Sequence, residues 1–168
     1  TLNDDINVLA CLAAKGLGLH NDLQNEHSIV GNNVGLLLML QYGTEEQKAE
    51  WVDDLAEGRR GFAFGITEPD HGSDATHMET HAEREGDEWV INGRKTLNTV
   101  IHKAQYDMVM ARTSGKPGDR TAITLLLVDR EADGVTVIRT KMADSRNVAN
   151  IDFKGVKVGK DAVLGDVD

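Results

Sequence analysis

The spacing of apolar residues changes once along the chain, near residue 58. Before this point apolar residues recur every three or four positions, which predicts helices, and after it they alternate with polar residues in short runs, which predicts strands. We therefore expect a partial helical domain over residues 1–58 and a β domain over residues 59–168. The predicted class is α+β: a short N-terminal helical segment followed by a small antiparallel β-barrel or sandwich.

Three helices are predicted in the first part. The first is indicated by apolar residues at helical spacing: Leu2, Ile6, Leu9, Leu12 and Ala13. The second, SIVGNNVGLLLMLQYG, is apolar enough to be buried and should stop at Gly43, although a strand is the less favoured alternative there. The third should begin at Thr44, which forms the pattern of a capping box with Gln47 ahead of an apolar stripe at Trp51, Val52 and Leu55.

The second part reads as short strands separated by turn residues. It begins with GFAFGIT, and HAEREGDEWVINGRKTLN then predicts a hairpin with Gly86 and Asp87 at its turn. SGKPGD is a predicted loop. The further strand-sized runs are YDMVMART, AITLLLVD, GVTVIRT and NIDFKGVKV.

Composition narrows the classes of protein. A chain of 168 residues with 40% hydrophobic and 27% charged residues is long enough to bury a core and is not of disordered type. No apolar run approaches the roughly 18 residues needed to span a bilayer, and a net charge of -10 makes nucleic-acid binding unlikely as a function. We expect a soluble, cytoplasmic protein whose single cysteine, Cys11, is a small buried apolar residue.

The stretch GITEPDHGSD, residues 65–74, combines features of a ligand-binding turn. A strand ending near Thr67 would present a hydroxyl and backbone N–H groups at the end of the sheet, and Pro69 would fix the turn. Gly72 and Ser73 would let the backbone approach a ligand and donate to an anionic oxygen. The alternative is an Asx turn in which Ser and Asp only satisfy their own backbone.

Several ordered motifs resemble those of the FAD-dependent acyl-CoA dehydrogenases. They run from about Tyr42 to Gly165 and include YGTEEQK, FAFGITEPDHGSDA, GDEWVINGRKTLNT, DMVMART and VKV. The resemblance implies that the chain is a segment covering the end of the N-terminal helical domain and the middle β domain. It also implies FAD as cofactor, an acyl-CoA thioester as substrate and, for a full enzyme, an electron-carrier flavoprotein as partner.

The resemblance also assigns roles to particular residues. Phe64 and Ile66 would flank the isoalloxazine ring, Thr67 would hydrogen-bond near its N1/O2 edge, and Thr99 would lie under N5, which accepts the hydride. Gly72 and Ser73 would meet the pyrophosphate, with Ser73 also near the acyl-CoA chain. Donors at the N1/O2 edge favour the reduced flavin, which carries negative charge there.

Departures from the family pattern limit these implications. The family's sequence pattern is Lys-x-Trp-Ile-Thr-Asn, and this chain has Lys95-Thr96-Leu97-Asn98-Thr99-Val100 at the same place. Leu97 therefore replaces a tryptophan that covers the flavin in the family. The family's Arg-x-Ser-Asp segment is also changed, and Gly159 stands where proline is common. In most of the family the catalytic base is a glutamate of a C-terminal helical bundle, and no residue of this chain takes that role.

Other interpretations stay open at this point. A less favoured alternative is a zinc site formed by His71, Asp74, His77 and His81. Two alternatives are open for the basic residues Arg94, Lys95, Lys103 and Arg112: they form a site for a CoA phosphate, or they are solvated charges on the sheet. The chain is a dehydrogenase segment, a non-catalytic flavin or acyl-CoA binding remnant or scaffold, or a flavin monooxygenase of the same fold. The apolar helix ending in VGLLLMLQYG predicts self-association.

Overall fold

The computed structural model describes residues 26–57, 59–141 and 147–167. The predicted first helix and Cys11 lie outside these residues. The helices are α1 (Glu26–Tyr42) and α2 (Glu45–Ala56), and 3-10 turns form at Ala75–His77 and Lys160–Ala162. The strands are β1 (Phe62–Gly65), β2 (His81–Glu85), β3 (Glu88–Thr99), β4 (Tyr106–Arg112), β5 (Ile123–Asp129), β6 (Val135–Lys141), β7 (Asn147–Gly159) and β8 (Val163–Leu164).

Residues at the helix ends explain where α1 stops and where α2 begins. The segment before Gly43 is a helix rather than a strand, and the Gly43 N–H donates to the Met39 carbonyl at 2.9 Å just past the last helical residue. The capping box of α2 is present, with Gln47 N donating to Thr44 Oγ1 at 3.2 Å and Thr44 N to Gln47 Oε1 at 2.9 Å. The Gln47 side chain also donates to the carbonyls of Asp161 and Val163, which ties α2 to β8.

The strands form one eight-stranded sheet in the order β6-β7-β3-β2-β4-β5-β8, with β1 paired to β4. Most pairs are antiparallel, but β1 runs parallel to β4, and β2 meets β4 in parallel at the single pair His81–Arg112. The β2–β3 hairpin has the predicted turn, where Gly86 takes a φ of 65°. β1 and β4 can pair in parallel because the β2–β3 hairpin lies between them in the chain and provides the long connection that parallel strands need.

Alternation along the strands builds two apolar clusters. Val109 and Leu126 point into the main cluster, which residues from both halves of the sheet enclose. Met108 and Leu127 point the other way, where they pack with Leu36 and Trp51 of the two helices. The inner face of the sheet is thus buried because residues from its two halves pack against each other. Part of its outer face is covered by α1 and α2. This arrangement confirms the α+β class, while the domain boundary at residue 58 stays a prediction.

The long strands β3 and β7 pair with two irregularities. The register shifts between Ile91 and Gly93, and again between Lys95 and Asn98, where three steps along β3 face two steps along β7. The second shift is a β-bulge at Thr96 and Leu97, and Leu97 takes a left-handed φ of 54°. A bulge redirects side chains and increases the local twist. Here it turns the end of β3 toward the end of β1.

Candidate flavin-binding site

The bulge of β3 lies directly against the segment that follows β1. The backbone N–H of Thr96 donates to the Thr67 carbonyl at 2.7 Å, and the Lys95 ammonium donates to the Ile66 carbonyl at 3.1 Å. Strand β1 itself ends at Gly65, so Ile66 and Thr67 are held by these bonds rather than by ladder pairing. The two segments that the sequence singled out, 64–67 and 97–99, therefore meet at one edge of the sheet.

The side chains expected around a flavin ring lie at the surface of this edge. Leu97 is 52% exposed, and its left-handed backbone is sterically costly for a residue other than glycine. Thr99 is exposed, and Ile66 and Thr67 are half-buried. Phe64 is also half-buried, but it packs against the cluster shared with the helices. An exposed apolar side chain on a strained backbone is typical of a ligand-binding site.

The loop between β1 and β2 places Gly72 and Ser73 in solvent. A Cβ at Gly72 would meet no atom within 4 Å, so the space above this residue is open. Asp74 accepts from Thr76 N at 3.2 Å and contacts His77 Nδ1 at 2.8 Å, which is the Asx arrangement given as the alternative for this stretch. Within the described residues, the hydroxyls of Thr67, Ser73 and Thr99 have no hydrogen-bond partner. Asp74 therefore shapes the loop and leaves these three hydroxyls available.

A buried ion pair supports the loop from below. Lys95 Nζ lies 2.8 Å from Glu68 Oε1, and the two side chains are 0% and 4% exposed. Glu68 also accepts from the backbone N–H groups of Glu79 at 2.6 Å and Thr80 at 2.9 Å. Burial acts to raise the pKa of Glu68, but these hydrogen bonds and that from Lys95 outweigh it, so the pKa lies below its ordinary value. Glu68 is thus an ionised anchor that fixes both ends of the loop.

A second buried polar pair was not predicted from the sequence. Asp107 on β4 and Asn98 on β3 are each 2% exposed, and Asn98 Nδ2 lies 2.9 Å from both carboxylate oxygens of Asp107. Burial raises the pKa of Asp107 to about 6, against lowering by the hydrogen bond from Asn98 and the charge of Lys95. The available signal was Asp107 itself, because a charged residue in the run YDMVMART lies on the same face as buried Val109.

Three of the four basic residues considered for a CoA phosphate have partners within the protein. Lys95 is fully buried in its ion pair, so the description as a solvated charge is also wrong for this residue. Arg112 is buried and donates to the Thr76 carbonyl at 2.5 Å, and Arg94 pairs with Asp152 through contacts of 2.5 and 2.8 Å. Each of these three cations thus has a structural partner.

The histidines considered for zinc are arranged differently from a metal site. His77 lies in the 3-10 turn and His81 begins β2. The rings of His71 and His77 are stacked with centroids 6.2 Å apart. In the part of the chain that the structure describes, no three His, Cys, Asp or Glu side chains are grouped as metal ligands.

Comparisons with known proteins agree on one family. The model of the acyl-CoA dehydrogenase middle domain matches residues 63–156. The acyl-CoA dehydrogenase AFT10-1 of Alternaria alternata is 36% identical over 81% of this chain and 32% of its own length. The human mitochondrial short-chain specific acyl-CoA dehydrogenase is 33% identical over 82% of this chain and 34% of its own length.

Solved structures show the same fold. A Mycobacterium smegmatis glutaryl-CoA dehydrogenase in complex with FADH2 aligns with a TM-score of 0.69 and 32% identity, over 78% of this chain and 33% of that one. The Tcur3481-Tcur3483 steroid acyl-CoA dehydrogenase aligns with a TM-score of 0.77 and 25% identity, over 96% of this chain and 48% of that one.

The chain belongs to the acyl-CoA dehydrogenase family and contains that family's middle domain. It spans about a third of the length of the two curated relatives named above, which are matched over 32% and 34%. Among the described residues, no helix is long and apolar enough to cross a membrane.

Proposed function

We propose that this chain is the flavin-binding middle domain of an FAD-dependent acyl-CoA dehydrogenase. The observation that carries the proposal is the β3 bulge, which brings exposed Leu97 and Thr99 against the segment ending in Thr67 through the 2.7 Å bond from Thr96 N to Thr67 O. We call the surface formed by residues 64–67, 72–73 and 97–99 the flavin cradle. Its apolar and hydroxyl groups match the two kinds of contact that a flavin ring requires.

The residues of the flavin cradle suit FAD chemically. Ile66 and Leu97 offer apolar surface to the faces of a planar ring, and Phe64 borders this surface from the helix side. The hydroxyls of Thr67 and Thr99, unpartnered within the described residues, can donate to the polar edge of the ring. Ser73 and the open space above Gly72 suit the pyrophosphate. The glutaryl-CoA dehydrogenase relative is described with FADH2, which supports the same cofactor here.

FAD, when bound, would accept a hydride from the β-carbon of an acyl-CoA thioester. This chain's residues would orient the ring and supply donors where negative charge develops, which favours the reduced state. Three carboxylates next to the flavin cradle are already engaged: Glu68 in the ion pair with Lys95, Asp74 in its turn, and Asp107 with Asn98. Because the family resemblance assigns the base to a glutamate of a C-terminal helical bundle, we propose that the α-proton is removed by a group outside the described residues.

The acyl-CoA thioester and an electron-carrier flavoprotein remain the proposed substrate and partner of the whole enzyme. A non-catalytic flavin-binding module is the second candidate. The engaged carboxylates favour it for this chain, and so does Leu97, which stands where the family has a stacking tryptophan. A bound flavin that acyl-CoA does not reduce would fit this second candidate.

The test is an FAD titration followed by the quenching of flavin fluorescence. The wild type should bind FAD, and Leu97→Glu should weaken binding at least tenfold, because a charge replaces apolar surface against the ring. Leu40→Glu is the matched control, since Leu40 is also an exposed leucine, at 38%, but lies on α1. Equal losses in both variants, or no FAD binding by the wild type, would contradict the proposal.

A further inference from the structure

The buried pair of Asp107 and Asn98 lies where the two parts of the flavin cradle meet. Asn98 is the residue between Leu97 and Thr99, and its Nδ2 is 2.9 Å from each carboxylate oxygen of Asp107. A Cβ added at Gly65, at the end of β1, would lie 2.8 Å from Asp107 Oδ2, so the carboxylate fits closely against β1. Asp107 thus bonds Asn98 in one segment of the flavin cradle and packs against Gly65 in the other.

This arrangement is not one that stability alone would favour. No basic side chain among the described residues donates to Asp107, because the Lys95 ammonium bonds Glu68, Ile66 O and Met78 Sδ instead. Asn98 Oδ1 is buried and has no hydrogen-bond partner in the described part. A buried carboxylate held only by neutral donors is costly, and so is an unpartnered amide oxygen. The family pattern has isoleucine at the position of Asn98, which would need neither.

The surroundings of Asp107 contain few charges. Lys95 on β3 is the cation that acts on it, and Glu68, from the loop after β1, is the partner of that lysine. The residues paired with Asp107 in the sheet, Ala63 on β1 and Val128 on β5, are uncharged. The protonation of Asp107 therefore depends on its burial, on its hydrogen bonds with Asn98 and on the nearby ion pair of Lys95.

We propose that the ionised carboxylate of Asp107 is a positioning group that holds Asn98, and with it Leu97 and Thr99, against the end of β1 in the geometry that binds the flavin ring. The inference rests on the proposed function. Protonation removes the charge and one acceptor oxygen, so that the bonds from Asn98 Nδ2 weaken. The affinity for FAD should therefore fall as the pH drops through about 6, the value of the Asp107 pKa.

The experiment has a protein-only arm and a flavin arm. In the first, ¹H–¹⁵N spectra of the flavin-free chain are recorded from pH 4.5 to 8, and we follow the backbone amides of Gly65, Leu97 and Thr99 and the side-chain amide of Asn98. In the second, the dissociation constant of FAD is measured at pH 5.0 and 7.5. The variant is Asp107→Asn, and the matched control is Glu83→Gln, which removes an exposed carboxylate of β2.

We expect the four amides of the wild type to shift with a common midpoint near pH 6, and the shift to vanish in Asp107→Asn but not in Glu83→Gln. FAD should bind roughly threefold to tenfold more weakly at pH 5.0 than at 7.5 in the wild type. The Asp107→Asn variant should bind FAD with low affinity that does not depend on pH, although its fold should be more stable than that of the wild type. A purely structural role would instead make stability and affinity change together.

Two results would overturn the inference. One is an absence of titration at Leu97 and Thr99, and the other is FAD affinity that does not change with pH or with Asp107→Asn. If the amides shift together but FAD binds at neither pH, the proposed function is contradicted, while the positioning of Leu97 and Thr99 by Asp107 is still supported.

Discussion

At the scale of single residues, the flavin cradle combines exposed neutral groups with buried charged ones. Leu97 and Thr99 lie at the surface, whereas Glu68 and Lys95 form a buried ion pair. Breaking such a pair by removing one partner leaves an uncompensated buried charge, which is strongly destabilising. The pair therefore fixes the loop after β1 next to β3, and the neutral groups are those proposed to contact the flavin.

Leu97→Trp should strengthen the binding of FAD. A tryptophan at this exposed position can stack on the isoalloxazine ring, which is worth on the order of 1 kcal/mol, or about fivefold in the dissociation constant. The left-handed φ of 54° penalises both side chains alike, so the comparison measures stacking rather than backbone strain. Fluorescence titration of FAD, with Leu40→Trp as the control, measures the change. A Leu97→Trp variant that bound FAD no better than the wild type would contradict the assignment of Leu97 to the ring.

Asp107→Asn should stabilise the fold at neutral pH. The pKa of Asp107 is about 6 in the folded chain, above its ordinary value of 3.8, so between these values the folded state binds more protons than the unfolded state. The contribution of this group to stability is therefore lost as the pH rises from about 4 to 7, by about 3 kcal/mol.

Urea unfolding at pH 4.5 and 7 measures this effect. The free energy of unfolding of Asp107→Asn, relative to that of the wild type, should increase with pH by up to about 3 kcal/mol. A difference that stayed constant with pH would show that Asp107 ionises normally in the fold.

At the scale of elements, α2 owes its start to reciprocal hydrogen bonds between Thr44 and Gln47. Thr44→Ala should lower the free energy of unfolding by about 1 kcal/mol, because it leaves the Gln47 N–H without its side-chain acceptor. Thr44→Ser keeps the hydroxyl and should change stability by much less. Chemical denaturation of both variants checks the prediction, and equal stability of the alanine and serine variants would contradict it.

The sequence predicted the elements better than their irregularities. Apolar spacing and the signals at Gly43, Thr44 and Gly86 identified the two described helices and the first hairpin, because these depend on residues close together in the chain. The bulge at Leu97 was not predicted, since it depends on how β3 aligns with β7 more than 50 residues away. The burial of Lys95 was missed for the same reason, because its partner Glu68 is 27 residues distant.

The flavin cradle could be predicted only in part. Its residues were identified through the resemblance to a family, and their proximity became visible through the bond from Thr96 to Thr67. Asp107 and Asn98 lie in stretches that carry the resemblance, DMVMART and GDEWVINGRKTLNT, but the resemblance assigned no role to either residue. A buried acid on the inner face of a strand can be recognised only when the inner face is known.

At the scale of the whole molecule, the described surface retains exposed apolar side chains near one end. Tyr42 is 51% exposed and lies beside Gly165, and Val167 is 45% exposed two residues further on. Part of the apolar helix α1 is nonetheless covered, since Leu36 and Met39 are buried against α2 and the sheet.

We predict that the chain self-associates through this surface. The molar mass from light scattering should rise with protein concentration in the wild type and less so in Tyr42→Ser/Val167→Ser. A concentration-independent monomer would contradict the prediction, and an equal rise in both proteins would place the contact elsewhere.

The most direct test of the central claim is the visible absorption spectrum of the purified chain after FAD has been added and the excess removed. The account predicts a retained flavin band, which added acyl-CoA leaves unbleached because the group that removes the α-proton is proposed to lie outside the described residues. A colourless protein would contradict the claim that this chain binds flavin by itself. Bleaching by acyl-CoA would contradict the claim that the group that removes the α-proton lies outside the described residues.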